Sequence, residues 1–273
     1  EDTRVFATIL QRELETNLGL STVVAASLEE TKEVLGREGG DSFDLALLDL
    51  NLPDARGGEI VDYAQQQGLP SIVFTGEFND ELREQMIAKR VIDYVYKESA
   101  ASVAYVGKLV LRILKNSSIR VLVVDDSRTA RNYIVRLLLN HRYQVLEAEN
   151  GQEALAVLKQ HPDVRMVITD YHMPGMDGFE LVRRLRQDYS MSQLSIVAVS
   201  SQGNHLISAR FIKNGANDFI TKPFLEEEFN CRVTQNIELL EPIQALAEAS
   251  TRDYLTGLHN RRYFYETAQK YFA

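Results

Sequence analysis

Residues 119–127 read IRVLVVDDS: five apolar residues interrupted only by Arg120, then two aspartates and a serine. A short, nearly continuous run of β-branched and apolar residues is the pattern of a strand buried on both faces. Ser127 is placed to cap a helix that runs on through Leu139. Beyond it the spacing predicts a strand at Gln144–Ala148, a helix at Gln152–Gln160 and a buried strand at Val164–Thr169. A helix at Phe179–Arg186, a strand at Leu194–Val199, a helix near Leu206–Asn214 and a short strand at Asn217–Thr221 follow. Five strands alternating with helices predict a doubly wound α/β domain. In such sheets functional groups collect at the carboxyl ends of the strands. Asp125-Asp126, Asp170, Ser200 and Lys222 each fall at such an end, on strands one, three, four and five.

The same residue types occur earlier in the same order: Glu1-Asp2, Asp49, Thr75 and Lys97. The step from hydroxyl to lysine is 22 residues in both copies. One carboxylate after a strand can be a turn or cap residue. The whole set, repeated in order, points instead to two copies of a complete domain, each with a site. In the first half the pattern predicts a helix from about Arg4 to Asn17 and strands at Thr22–Ala26, Leu45–Leu48, Ser71–Phe74 and Val91–Tyr96. No apolar strand precedes Glu1-Asp2. In a flavodoxin-like strand order of 2-1-3-4-5 that strand lies inside the sheet, so the parent protein is expected to continue upstream. The organisation expected is a first domain at 1–116, a second at 119–238, a helical linker at 239–252 and the start of a further domain at 253–273.

Composition limits the classes that fit. With 45% apolar residues in 273 the chain can build two ordinary cores, and no apolar run approaches the ~18 residues of a membrane span. It carries no signal-peptide pattern. Its lone Cys231 can form no internal disulfide, in keeping with a reducing cytoplasm. A net charge of −9 disfavours nucleic acid as a partner, which requires a basic face. No glycine-rich phosphate loop follows either first strand, which ranks a small-molecule enzyme on this sheet last.

The segments VLVVDDS, ITDYHMPGMDG, AVSS and ITKPF of the second half resemble receiver domains of two-component response regulators. So do EDT, LLDLNLPDARGG, VFTGE and YVYKES in the first half. The resemblance implies two tandem CheY-like receivers of flavodoxin-like, five-stranded fold, phosphorylated at Asp49 and Asp170 by a histidine kinase or phosphotransfer protein. It implies Mg²⁺ as cofactor, held by Asp2 and Asp126 with help from Glu1 and Asp125. One oxygen of Asp49 or Asp170 and the backbone carbonyls of Asn51 and His172 would share the ion. Three packed carboxylates repel one another, so such a site is poised for a hard divalent cation. Lys97 or Lys222 would offset charge on the phosphoryl oxygens, and Thr75 or Ser200 would hydrogen-bond the phosphoryl group.

Tyr94 and Phe219, three residues before each lysine, are either switch aromatics of this family or strand aromatics packing on a helix. Pro223 fits the family's frequent cis peptide, where the first copy has Glu98. The loop after Asp49 is also one residue longer than that after Asp170, counted to Gly58 and Gly178. His172 has no second His or Cys at metal-site spacing, so its side chain is expected to tune the pocket rim.

Leu225, Phe229, Val233, Ile237 and Leu240 recur at helical spacing, as core packing or as an inter-domain or dimer rod. Pro242 is expected to kink that helix or begin another. Residues 253–262, DYLTGLHNRR, resemble the entry signature of GGDEF domains, which make cyclic di-GMP from GTP. The parent therefore resembles receiver–receiver–GGDEF proteins of the PleD type: a cytoplasmic response regulator, homodimeric on phosphorylation, controlling a diguanylate cyclase. The chain as printed stops before the GGDEF motif, so its own expected chemistry is receiver phosphorylation and dephosphorylation. An adaptor with a degenerate, non-catalytic GGDEF output is the alternative.

Overall fold

The computed structural model describes residues 4–76, 79–97, 100–201 and 205–251, with 256, 258, 260, 261, 263 and 265 of the last stretch. Glu1, Asp2 and Glu98, and most of the 253–273 segment with its GGDEF-like signature, lie outside the described residues. The chain divides into two compact units, Glu1–Ser118 with Asn140–Tyr143, and Ile119–Leu139 with Gln144–Ala273. Both are α/β with parallel sheets. Among the described residues no helix is long and apolar enough to cross a membrane.

The second unit has the five-stranded sheet. Its strands are β4 (Arg120–Val124), β5 (Gln144–Ala148), β6 (Val164–Asp170), β7 (Ser195–Ser200) and β8 (Asp218–Thr221), ordered β5-β4-β6-β7-β8 and all parallel. That is the doubly wound order expected from the alternation of elements. Between them run α6 (Arg128–Asn140), α7 (Gly151–Gln160), α8 (Gly178–Asp188) and α9 (His205–Lys213), and α10 (Glu226–Thr251) follows β8. Local chemistry starts these helices. The side chains of Asn150 and Asp177 accept from the N–H groups three residues on, Glu153 and Glu180, and Ser127 accepts from Ala130. Every residue of β7 is buried, as a central strand covered on both faces requires. One face packs Leu122, Val124, Val167, Ile196 and Ala198 against Leu158, Leu181, Leu185 and Phe211.

The stripe on α10 resolves to core packing. Phe229, Val233, Ile237 and Leu240 are buried, and the helix packs on β7 and β8 of its own unit; Leu225 is exposed. The rod reading therefore fails for these positions, because their faces are consumed by the sheet. α10 runs from Glu226 through Thr251 as one helix with Pro242 inside it, so no new helix begins at the proline. The peptide between Lys222 and Pro223 is cis.

The first unit has α1 (Arg4–Arg12) continued by a π-helical turn, Glu13–Asn17, then α2 (Leu28–Glu38) and β1 (Ala46–Leu48). α3 (Glu59–Gln66), β2 (Ser71–Thr75), α4 (Asp80–Ala88), β3 (Asp93–Tyr96) and α5 (Ala100–Asn116) complete it. Its sheet has three strands, β1-β2-β3, which correspond to β6-β7-β8. The predicted strand at Thr22–Ala26 does not form: the segment belongs to no strand, and Val23 and Val24 are exposed. The reason is topological. In the order 2-1-3-4-5 strand two pairs only with strand one, and among the described residues no strand pairs with β1 on that side. A cavity of about 220 Å³ borders the unpaired side of β1, lined by Leu10, Val23, Ala25, Leu35 and Leu47 among others.

The longer loop after Asp49 is absorbed by a tight turn. Leu52 and Ala55 exchange backbone hydrogen bonds across Pro53 and Asp54. Asp54 then accepts from the N–H groups of Leu28 and Glu29, both at 2.9 Å, capping α2. Those bonds hold its carboxyl below the usual range.

Gly178 shows how tightly the second unit closes its loop. Its N–H donates to the Tyr171 carbonyl at 2.9 Å, and a Cβ here would lie 2.4 Å from the backbone oxygen of Asp170. We expect Gly178→Ala to destabilise the second unit by about 1–3 kcal/mol through overpacking. Urea unfolding measures it, and Gly58→Ala serves as the comparison in which strain comes from a positive φ of 78° instead.

Candidate functional site

Parallel strands end on one side of their sheet, and in the second unit that side gathers the sequence-predicted groups. Asp125 follows β4, Asp170 ends β6, Ser200 ends β7 and Lys222 follows β8. The Lys222 Nζ donates to Oδ2 of Asp125 at 2.8 Å and to Oδ1 of Asp170 at 2.7 Å. The other oxygens are held from the backbone: the His172 N–H donates to Asp170 Oδ2 at 2.7 Å and the Ser127 N–H to Asp125 Oδ1 at 2.9 Å. Buried Ser200 is tied in through its carbonyl, which accepts from the Lys222 N–H at 2.8 Å. Asp126 is exposed at the end of β4. In place of three packed carboxylates, two carboxylates share one ammonium; among the described residues no three His, Cys, Asp or Glu side chains are gathered to hold a metal.

Burial, against the pull of Lys222, pushes the Asp125 carboxyl above its ordinary range, and neighbouring Asp170 adds to the push. Burial alone would lower the Lys222 ammonium, but its bonds to Asp125 and Asp170 outweigh it and hold the group above its usual value. The lysine is therefore a resident cation between two carboxylates that would otherwise repel.

The first unit repeats half of this geometry. The Lys97 Nζ donates to Asp49 Oδ2 at 2.6 Å, the Asn51 N–H to Asp49 Oδ1 at 3.2 Å, and the Lys97 N–H to the carbonyl of buried Thr75 at 2.8 Å. The pair is more enclosed here. The Asp49 and Lys97 side chains are 4% and 9% exposed, against 13% and 22% for Asp170 and Lys222. Phe74 and Phe6 supply the cover, with ring centres 5.3 and 5.7 Å from the Lys97 ammonium.

The two aromatics sit differently. Phe219 lies 5.6 Å from Phe211, which stacks on Phe179 at 4.0 Å and meets Tyr171, the residue after Asp170, edge-on at 5.7 Å. Tyr94 packs against the core containing Val73, Met86 and Val91. The His172 ring lies 4.1 Å from that of Tyr171, at the exposed rim.

One contributor escaped the sequence reading. Arg131 of α6 is buried, and its Nη1 donates to the backbone carbonyl of Asp125 at 2.7 Å. The signal was present: Arg131 falls in phase with buried Ile134 and Leu138, an unusual place for a charge.

The response regulator receiver domain model matches residues 1–104 and 121–234. The chain belongs to the response regulator receiver family. It carries two receivers in tandem. Among curated proteins, the two-component response regulator ORR3 of Oryza sativa subsp. indica is 40% identical over 103 residues, which are 38% of this chain and 79% of that protein. The CheY homolog of Campylobacter jejuni subsp. jejuni (strain 81-176) is 41% identical over 107 residues, 38% of this chain and 82% of that protein. Among solved structures, two two-component response regulator/GGDEF domain proteins are each 42% identical, with TM-scores of 0.81 and 0.80. Each match covers 88% of this chain and 97% of the other.

The ion-pair geometry of the second receiver predicts the effect of losing its lysine. Without Mg²⁺, Lys222→Met leaves Asp125 and Asp170 facing each other and should lower stability by about 1–3 kcal/mol. The folded protein already holds the Asp125 proton more tightly than an unfolded chain would, and losing Lys222 tightens it further. Lowering the pH toward the carboxylate range should therefore narrow the deficit relative to wild type. Urea unfolding across pH, in metal-free buffer, reads both effects.

Proposed function

We propose that Asp170 and Asp49 are phosphoacceptors, charged by a histidine kinase or phosphotransfer protein, and that the second receiver is the more readily charged. The observation carrying this is the lysine–aspartate bridge repeated in both receivers, Lys222 on Asp170 and Lys97 on Asp49. An aspartate whose oxygens are already oriented by an ammonium and a backbone N–H is pre-positioned as a nucleophile. One Asp170 oxygen attacks the donor phosphorus in line, the bond to the donor nitrogen breaks, and an acyl phosphate forms. Lys222 offsets charge on the phosphoryl oxygens, and Ser200, tied to the Lys222 backbone, would hydrogen-bond the new group.

The Asp125–Asp170 pair suits Mg²⁺. Lys222 shows that one cation reaches both Asp125 and Asp170, and Mg²⁺ takes one or two carboxylates with water for much of the rest. Asp125, Asp126, Asp170 and the His172 carbonyl would hold it, and it would neutralise charge on the transferring phosphoryl group. In the first receiver Glu1, Asp2, Asp49 and the Asn51 carbonyl form the corresponding proposed set. Thr75 and Lys97 take the parts of Ser200 and Lys222.

The proposed readout is dimerisation that controls a C-terminal diguanylate cyclase, with Tyr94 and Phe219 as switch aromatics. The response regulator/GGDEF domain proteins whose solved structures resemble 88% of this chain support that output. The chain of ring contacts from Tyr171 through Phe211 supports Phe219 as the second receiver's relay.

Acetyl phosphate with Mg²⁺, followed by intact-mass spectrometry and light scattering, tests the proposal. We expect adducts that vanish one by one in Asp170→Asn and Asp49→Asn, with Asp170 labelled first because its site is the more open. The Asp170 adduct should accompany the shift to dimer. Adducts that persist in the double variant would overturn the assignment of acceptors.

A further inference from the structure

We infer that Arg131 is a positioning residue that sets the acidic pair of the second receiver for its cation. The inference rests on the metal-binding reading above. Arg131 is buried on α6 and uses all three guanidinium nitrogens. Its Nε donates to Glu147 at 2.9 Å, its Nη2 to Glu149 at 2.9 Å, and its Nη1 to the Asp125 carbonyl at 2.7 Å. The two glutamates flank Ala148, the last residue of β5, whose carbonyl accepts from the Asp125 N–H at 3.2 Å.

The Asp125 residue is therefore held at three points: its N–H by β5, its carbonyl by Arg131, and its side chain by Ser127 and Lys222. Its carbonyl belongs to the peptide bond that begins Asp126. Because a peptide unit is planar, fixing that oxygen fixes the direction in which the Asp126 Cα leaves the strand. Arg131 touches neither the acceptor carboxylate nor a reacting atom. It acts through the backbone, as the partners of metal ligands do when they orient those ligands from behind. A planar fork with charge on every donor suits this task, and lysine cannot reproduce it.

The first receiver lacks the device. Ala7 stands five residues after Asp2, where Arg131 stands five after Asp126. Neither glutamate has a counterpart in the segment Thr22–Ser27. The clamp is thus particular to the second receiver, in line with its role as the more readily charged site.

Calorimetric titration of Mg²⁺ into the full chain carrying Asp49→Asn reports the second site. In that background Arg131→Gln is expected to weaken Mg²⁺ binding about tenfold, the usual cost of removing an orienting partner. Arg131→Lys should fall between, and Glu149→Gln, which removes one strut of the clamp, should weaken binding by a few-fold. At saturating Mg²⁺ the rate of Asp170 labelling should return to within about twofold of the parent, since the reacting groups are intact. If Arg131→Gln does not fold by circular dichroism, Arg131→Lys and Glu149→Gln carry the test. Folded variants that bind Mg²⁺ as the parent does would overturn the positioning role alone. A parent that binds no Mg²⁺ would overturn the metal reading itself, and the inference with it.

Discussion

The ammonium of Lys222 between Asp125 and Asp170 is the constraint around which the second receiver is organised. Two carboxylates at neighbouring strand ends are mutually repulsive, and burial raises the cost of charging them. A cation that reaches both makes the arrangement tolerable. The parallel sheet makes this possible, because only there do β4, β6 and β8 deliver their last residues to the same edge. The same bridge ties the last strand to the end of β6, so a change of charge on Asp170 is felt at Lys222, and through its backbone at Ser200.

The two receivers share that bridge and differ in what surrounds it. The second is held from behind by Arg131, Glu147 and Glu149, and its loop is closed against Gly178. The first has aromatic cover over Lys97 and a turn in which Asp54 serves α2 instead of the site. One architecture thus supports an open, braced site and a more enclosed one. Arg186 makes a related point about structural charge. Its guanidinium joins α8 to the Gly215 and Leu194 carbonyls and to Asn217, and burial lowers it to about 10. Arginines act here as braces between backbone segments.

Much was legible in the residues. The continuous apolar runs at 121–124 and 196–199 have the pattern of strands covered on both faces, and the β-strand assignments of the second receiver agree with the structure to within a residue. That Asp125, Asp170, Ser200 and Lys222 would meet was legible for a related reason: strand ends are visible in sequence, and parallel topology converts strand ends into neighbours. The predicted strand at Thr22–Ala26 failed because β structure is a property of pairs. Its residues have strand propensity, but the strand they would pair with is not among them. The stripe on α10 was ambiguous for a similar reason. Period 3.6 identifies a helix face but not what covers it, and β7 and β8 turned out to be the cover.

By itself, then, the amino-acid order determined the repeated α/β plan, the strand ends and the residue types available at them. Those depend on local periodicity and on a spacing that recurs. Only the tertiary structure decided that Lys222 bridges two carboxylates, that Asp126 stands exposed while Asp125 is buried, and that Arg131 grips the Asp125 carbonyl. These are contacts between residues far apart in the chain, or between a side chain and a backbone oxygen. No periodicity records them, because they arise from packing α6 and β8 against the same strand end.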